Sequence, residues 1–264
     1  MKRLLILCGT ADAVELPDRA IELPGLEVIT SLAGRTSAPK HLVGNVRIGG
    51  FGGEAGLIAY LQTEQIDLII DATHPFAARI SRNAATAATK VGIPRLMLIR
   101  PAWVRSPEDN WIEVESVEAA VQAIPASAER IFVTIGRQQL APFASSIDKW
   151  CLMRSIDPPN ANSPLPPGKL LLDRGPFSLE QERQLLIDYR IQAIVSKNSG
   201  GDATYAKIIA ARELGLPVVM VQRPIIPEGD SPEESLLVIS VVALRQRVAD
   251  VSGAIDWLRD AQIG

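Results

Sequence analysis

The chain has 264 residues, 47% of them hydrophobic, and its 27 Lys and Arg against 30 Asp and Glu leave a net charge of −3. That length and apolar content suit one large or two medium domains with a real core, and the charge balance lacks the basic field that nucleic acid would require of a main partner. No apolar run reaches the ~18 residues of a membrane helix. The apolar stretch after Lys2-Arg3 stops at Gly9, short of the roughly 7–15 residues of a secretory signal, so a cytoplasmic location is expected. Two histidines and two cysteines without ligand spacing give no basis for a metal site, and Cys8 reads as a small core residue.

The first part of the chain alternates strand and helix. Leu4–Cys8 reads as a strand, Ala11–Leu23 as a helix limited by Pro17, Leu26–Ser31 as a second strand and Val46–Ile48 as a short third. The loop Gly49-Gly-Phe-Gly-Gly53 leads into a helix over Glu54–Glu64. Leu68–Ile70 is a strand buried on both faces, Ala77–Val91 an alanine-rich helix and Arg95–Ile99 a strand. Pro101-Ala-Trp-Val-Arg-Ser-Pro107 interrupts the pattern and marks a crossing into a second domain.

Beyond it, Ser116–Ile124 reads as a helix, Ile131–Ile135 and Trp150–Arg154 as strands, and the proline-rich Asp157–Gly168 as a loop. Leu170–Leu172 is a strand, and Ser178-Leu-Glu-Gln181 has the form of a capping box opening a helix to about Tyr189. Ile191–Val195 is a strand, Ala203–Leu214 a helix, Val218–Val221 a strand, and Ala243–Ile263 helix-like. The expected division is 1–101, 102–242 and a C-terminal helix within 243–264. Strand–helix alternation predicts an α/β fold with parallel, doubly wound sheets.

One echo runs through the sequence. Gly92-Ile-Pro94 with Arg100-Pro101 recurs as Gly215-Leu-Pro217 with Arg223-Pro224, each position 123 residues on. Shared αβ punctuation explains it, since Gly closes a helix and Pro precedes a strand. Two similar half-sheets, with the loops 71–76 and 197–202 facing each other across a shared cleft, explain it equally.

Ligands of open α/β sheets sit at the carboxyl ends of the strands, which is where Asp71-Ala-Thr-His-Pro-Phe-Ala77 falls. His74 there is either a binding residue or proton donor, or a satisfied structural histidine; His41 reads as loop surface. Gly9-Thr-Ala-Asp12 has one glycine where the dinucleotide fingerprint has three. It is either a plain turn or a phosphate site built on a close backbone and a helix start. Ser31-Leu-Ala-Gly-Arg35-Thr36 puts an arginine and no acid after the second strand. Arg35 either meets a 2′-phosphate, pointing to NADPH, or is solvated surface. Gly49–Gly53 suits close backbone approach to a ligand. Lys197-Asn-Ser-Gly-Gly201 suits an anion, or is an ordinary glycine turn with a surface lysine.

These motifs, with Arg174-Gly-Pro-Phe177 added, occur together in an order and spacing that resembles the precorrin-6A reductase family of the cobalamin pathway, also called cobalt-precorrin-6A reductase, from residue 4 to about 225. The resemblance implies two Rossmann-like domains and an oxidoreductase. Hydride would pass from NADPH, with NADH second, to a ring carbon of the macrocycle, and a proton would be added at its neighbour. It implies a cofactor site of Gly9, Thr10, Ala11, Ser31, Arg35, Thr36, Gly50, Phe51, Gly52, Thr73, His74, Pro75 and Phe76, with His74 and Lys197 as catalytic residues. The substrate, a large flat tetrapyrrole rich in carboxylates, would meet Arg79, Arg137, Arg174, Lys197, Asn198, Ser199, Gly200 and Gly201, with Arg154 a further loop cation. Transient contact with neighbouring pathway enzymes is also implied.

One departure stands at the start, where Cys8 takes the place of the first glycine of the family's usual Gly-Gly-Thr loop. Two rival classes remain on the sequence: a two-lobed phosphate-handling transferase, which leaves Arg35 unexplained, and a two-lobed binding protein, which the missing signal opposes.

Overall fold

The computed structural model describes residues 1–10, 12–34, 44–146, 149–225 and 247–263. The chain divides into two units, Met1–Arg100 with Pro224–Gly264, and Pro101–Arg223. The expected second domain ran to residue 242; the division instead returns the chain to the first unit at Pro224.

In the first unit the strands are β1 (Lys2–Cys8), β2 (Leu26–Leu32), β3 (Asn45–Ile48), β4 (Leu68–Ala72), β5 (Arg95–Leu98) and, in the second unit, β6 (Trp111–Val114), β7 (Arg130–Thr134), β8 (Trp150–Ser155), β9 (Gly168–Leu172), β10 (Ala193–Lys197) and β11 (Val218–Val221); β12 (Arg247–Val248) belongs to the first unit again. The helices of the first unit are α1 (Asp12–Ala20), α2 (Gly53–Thr63), α3 (Ala78–Val91) and α8 (Val251–Ile263); those of the second are α4 (Val117–Gln122), α5 (Ala141–Ser146), α6 (Leu179–Asp188) and α7 (Ala206–Glu213).

Both sheets have six strands, ordered β3-β2-β1-β4-β5-β12 and β9-β8-β7-β10-β11-β6, and every pairing is parallel. Each sheet follows the dinucleotide-binding order 3-2-1-4-5-6. The sixth position differs in origin. The first unit fills it with β12, from the end of the chain, and the second with β6, which precedes all its partners. The paired echo therefore marks equivalent strands, since β5 and β11 occupy the same fifth position.

Four elements depart from expectation. The strand β6 and the helix α5 were not predicted, and the helix expected from Ala243 begins at Val251, after β12. β6 and β12 are short edge strands whose pairing, not their pattern, makes them strands.

Alternation along β1 builds the first core. Leu4, Ile6 and Cys8 join Leu16 and Ala20 of α1 and Ala254, Ile255, Trp257 and Leu258 of α8. Leu5 and Leu7 join Leu57 and Leu61 of α2 and Ala84, Ala87 and Ala88 of α3 on the other face. The small side chains of α3 let its backbone lie close to the sheet. Because α8 covers one face, the C-terminal segment is part of this core. In the second unit Phe132, Leu152, Ile194 and Met220 pack against Leu186 of α6 and Ile208 and Ala211 of α7. The capping box forms as written in the sequence: Gln181 N–H donates to Ser178 Oγ, and the Gln181 side chain accepts from Ser178 N–H. No helix among the described residues is long and apolar enough to cross a membrane.

Candidate functional site

In each sheet the order reverses between the two middle strands, β1 and β4 in the first unit and β7 and β10 in the second, and the crevice at their carboxyl ends is the place for a ligand. In the first unit that point lies between β1 and β4, whose register pairs Cys8 with Ala72. Gly9 follows β1, and a Cβ there would stand 2.7 Å from His74 N and 3.0 Å from Thr73 Cα. Any side chain would push the two loops apart, so glycine is required where they close on each other. Thr10 Oγ1 adds a donor to Ala72 O at 3.5 Å. Cys8 is buried, and burial alone pushes its thiol up to about 12. It serves as packing under the loop and not as a nucleophile.

Asp71 is the last residue but one of β4, not a loop acid. Its carboxylate is 1% exposed and pairs with Arg95 Nη1 at 3.4 Å, while its Oδ1 accepts from Thr73 Oγ1 at 2.7 Å and Thr73 N at 3.2 Å. Thr73 Oγ1 also lies 3.0 Å from Ser81 Oγ of α3. Burial lowers the pKa of Arg95, and the Asp71 charge opposes that fall. The network ties the loop at both ends and leaves His74 at its turn. His74 Nδ1 accepts from Phe76 N–H at 3.2 Å, and His74 O from Ala77 N–H at 2.7 Å. A neutral ring accepting at Nδ1 carries its proton on Nε2. The Phe76 ring lies 5.9 Å from the imidazole, and Pro75 is buried.

Ser31 ends the buried part of β2 and pairs in register with Arg47 of β3. Arg47 was not singled out from the sequence. Its guanidinium donates to Gly49 O at 2.6 Å and Gly50 O at 2.7 Å, and stacks 3.8 Å over the Phe51 ring. Gly50, Phe51 and Gly52 thus sit beside Ser31, and added Cβ atoms at Gly50 and Gly52 would meet nothing within 4 Å. The Gly9 turn and this open glycine loop leave a cradle of exposed backbone that suits a dinucleotide. Ala11, Arg35, Thr36 and His41 lie outside the described residues. Arg79 is exposed on the first turn of α3, in this same unit.

The equivalent point of the second unit lies between β7 and β10. Lys197 ends β10 and is half-buried, and the strand runs two residues further than expected. Asn198 is 3% exposed, and its side chain is used within the protein: Oδ1 accepts from Trp103 N at 2.8 Å and Nδ2 donates to Trp103 O at 3.1 Å. Its part is to shape the loop, not to display an amide. Gly200, at φ 68°, would put a Cβ 2.0 Å from Pro101 O, and Gly201 O accepts from Trp103 Nε1 at 2.8 Å. Arg223 donates to Asn198 O at 2.9 Å, to Ser199 O at 3.0 Å and to Pro101 O at 3.1 Å. The second arginine of the echoed Arg-Pro pair therefore closes this loop, a contact between residues far apart in the chain.

Arg154 is not open to a ligand, contrary to the sequence reading. Its guanidinium is 7% exposed, makes a bidentate pair with Glu182, and stacks 3.7 Å over Phe177. Phe177 N–H donates to Ala203 O at 3.2 Å, so the Arg174–Phe177 motif is tied to the segment after the Lys197 loop. Arg174 stands exposed on a loop of this unit, and Arg137 opens a 3-10 turn over Arg137–Gln139 and donates to Pro158 O at 2.7 Å.

Lys207 of α7 was also missed. It is 4% exposed, donates to Thr204 O at 2.6 Å and lies 4.9 Å over the Trp103 ring. Burial, then the Arg154 charge, lowers its pKa to about 7, against the attraction of Glu182. Between about pH 7 and its ordinary value near 10.5 the unfolded chain holds a proton that the folded chain lacks, so stability rises with pH there. Wild type should gain up to about 1.4 kcal/mol per pH unit relative to Lys207→Met. Urea unfolding at pH 7, 8 and 9 checks this, and parallel slopes for the two proteins would refute it.

Comparison with known proteins identifies the family. The profile of "Precorrin-6x reductase CbiJ/CobK" matches residues 3–259. A "Precorrin-6A reductase" of Rhodococcus erythropolis is 45% identical over 258 residues, 98% of each chain. One of Rhodobacter capsulatus is 42% identical over 230 residues, 87% of this chain and 91% of that one. The solved structure of "CobK precorrin-6A reductase" superposes with a TM-score of 0.85 at 39% identity, covering 98% of this chain and 97% of that one. With nearly its whole length matched by profile, relatives and fold alike, the chain belongs to the precorrin-6x reductase family.

Proposed function

We propose that this oxidoreductase reduces precorrin-6A to its dihydro form, a step of cobalamin biosynthesis, with NADPH as the hydride source. The single observation that carries the reading is the family membership over residues 3–259, joined to a first unit with the dinucleotide-binding strand order. The family works with a nicotinamide cofactor. The choice of NADPH rests on the end of β2: Ser31 stands where NAD sites place an acid, and Arg35 and Thr36 follow it in the sequence. Reduced nicotinamide, when bound, supplies the hydride.

The protein's own groups bind and orient. The Gly9 turn and the Gly50–Gly52 backbone suit the diphosphate and adenosine parts. Thr73, His74, Pro75 and Phe76 suit the nicotinamide end. In the second unit Arg137, Arg174 and Lys197, with the backbone of Ser199–Gly201, suit a carboxylate-rich macrocycle. The reading is tested by NADPH and NADH oxidation with precorrin-6A and its cobalt form supplied side by side. NADPH consumption with precorrin-6A is expected; no oxidation with either form would end the reading.

His74 is assigned to positioning the cofactor through its Nε2–H, because Nδ1 is engaged by Phe76 N–H. His74→Ala should therefore weaken NADPH binding. A proton donor's loss would instead lower turnover at saturating NADPH and leave affinity alone. Titrating NADPH binding and measuring saturated turnover for His74→Ala and His74→Gln separates the two, and unchanged values for both would remove His74 from the site.

A further inference from the structure

Arg47, at the carboxyl edge of the first sheet, has a side chain that touches both the end of β2 and the glycine loop. Ser31 and Arg47 are register partners on β2 and β3, and Arg47 Nη1 reaches Ser31 Oγ at 3.4 Å. The same guanidinium caps Gly49 O and Gly50 O at 2.6 and 2.7 Å. Its face lies 3.8 Å from the Phe51 ring centre and 5.1 Å from that of Tyr60. The two rings meet edge to face at 5.2 Å. Loop, strand end and helix α2 are thus joined through one planar group.

The loop needs such a brace. Gly49, Gly52 and Gly53 have φ of 125°, 81° and 89°, and added Cβ atoms at Gly49, Gly50, Gly52 and Gly53 would meet nothing within 4 Å. So the positive-φ glycines serve the backbone path, and the space beside it is open. Glycine loses the most conformational freedom on ordering, and a four-glycine turn facing open space has little packing to hold it. The guanidinium holds two consecutive carbonyls to the protein side, which leaves the other side of the backbone for a ligand. A lysine, a point charge without a planar fork, cannot cap both carbonyls and stack at once.

We infer that Arg47 is a positioning residue, which sets the Gly49–Gly53 turn for the adenosine end of the nucleotide and does not itself read the 2′-phosphate. The inference rests on assigning the first unit to the nucleotide. With its fork turned onto Gly49 O and Gly50 O and its face on Phe51, its charge is directed into its own loop.

The test uses Arg47→Lys and Arg47→Met in the full chain. NADPH and NADH dissociation constants are read by nicotinamide fluorescence, together with KM, kcat and thermal midpoint. Both variants should bind both nucleotides about 10-fold more weakly, with the ratio of the two constants unchanged and the loss showing in KM for the nucleotide and not in kcat. Retained NADPH affinity in Arg47→Lys, or a loss confined to NADPH, would mean charge recognition and overturn the inference. If Arg47→Met fails to fold, Arg47→Lys decides alone. Wild type that binds neither nucleotide would sink the cofactor assignment and the inference together. Wild-type binding matched by both variants would sink the inference only.

Discussion

Glu182→Ala should destabilise the second unit by about 3–5 kcal/mol, the usual cost of leaving a buried charge without its partner. Glu182 is 1% exposed and Arg154 7%, and the carboxylate accepts from both Nη atoms of the guanidinium. Phe132 and Phe177 flank that guanidinium at 4.9 and 3.7 Å, so its surroundings apart from Glu182 are largely aromatic and compensate the lost charge poorly. Lys207, already disfavoured as a cation by burial and by Arg154, would lose the attraction of the Glu182 charge. Scanning calorimetry should show the midpoint falling by roughly 10–15 °C. Arg154→Met combined with Glu182→Met should recover most of the loss, because removing both charges also removes the desolvation cost. A fall below about 1 kcal/mol for Glu182→Ala would show that the pair is solvated in solution.

Arg35→Ala should lower NADPH affinity about 10- to 150-fold, the loss of a charge-assisted contact worth roughly 1.5–3 kcal/mol, and leave NADH affinity unchanged. β2 ends at Leu32, Gly34 turns the chain at φ 68°, and Arg35 and Thr36 come next; no acid stands at this strand end, where NAD sites place one. Dissociation constants for both nucleotides, measured on wild type and variant, check the result. A variant that keeps the wild-type preference would move the phosphate contact to another residue. The contrast with Arg47, whose loss should weaken both nucleotides alike, makes the pair of variants more informative than either one.

Periodicity and turn chemistry were sufficient for much of the fold. The apolar runs at Leu4–Cys8, Leu68–Ile70 and Val218–Val221 became central parallel strands, because a strand buried on both faces must be apolar throughout. The capping box at Ser178 formed where it was written, since its partners lie one helical turn apart. Gly9 and the Asp71–Phe76 loop fell at the switch point because connectivity alone places the ends of the first and fourth strands together.

What the sequence by itself determined, then, is whatever neighbours in the chain decide: strand and helix type, their alternation, the glycine turns and the family motifs. Tertiary structure decided the rest. The sixth strand follows all its partners in the chain in the first sheet, as β12, and precedes them in the second, as β6, and such short segments become strands only when an edge is there to pair with. Asp71 was read as a loop acid and Arg154 as a free cation until folding brought Arg95 and Glu182 to them. Asn198 found Trp103, 95 positions away, and Arg47 found the glycine loop through the aromatic faces of Phe51 and Tyr60. A charge is costly to bury alone and stable once paired, so whether a polar side chain serves a ligand or its own protein is settled by partners that only the folded chain brings within reach.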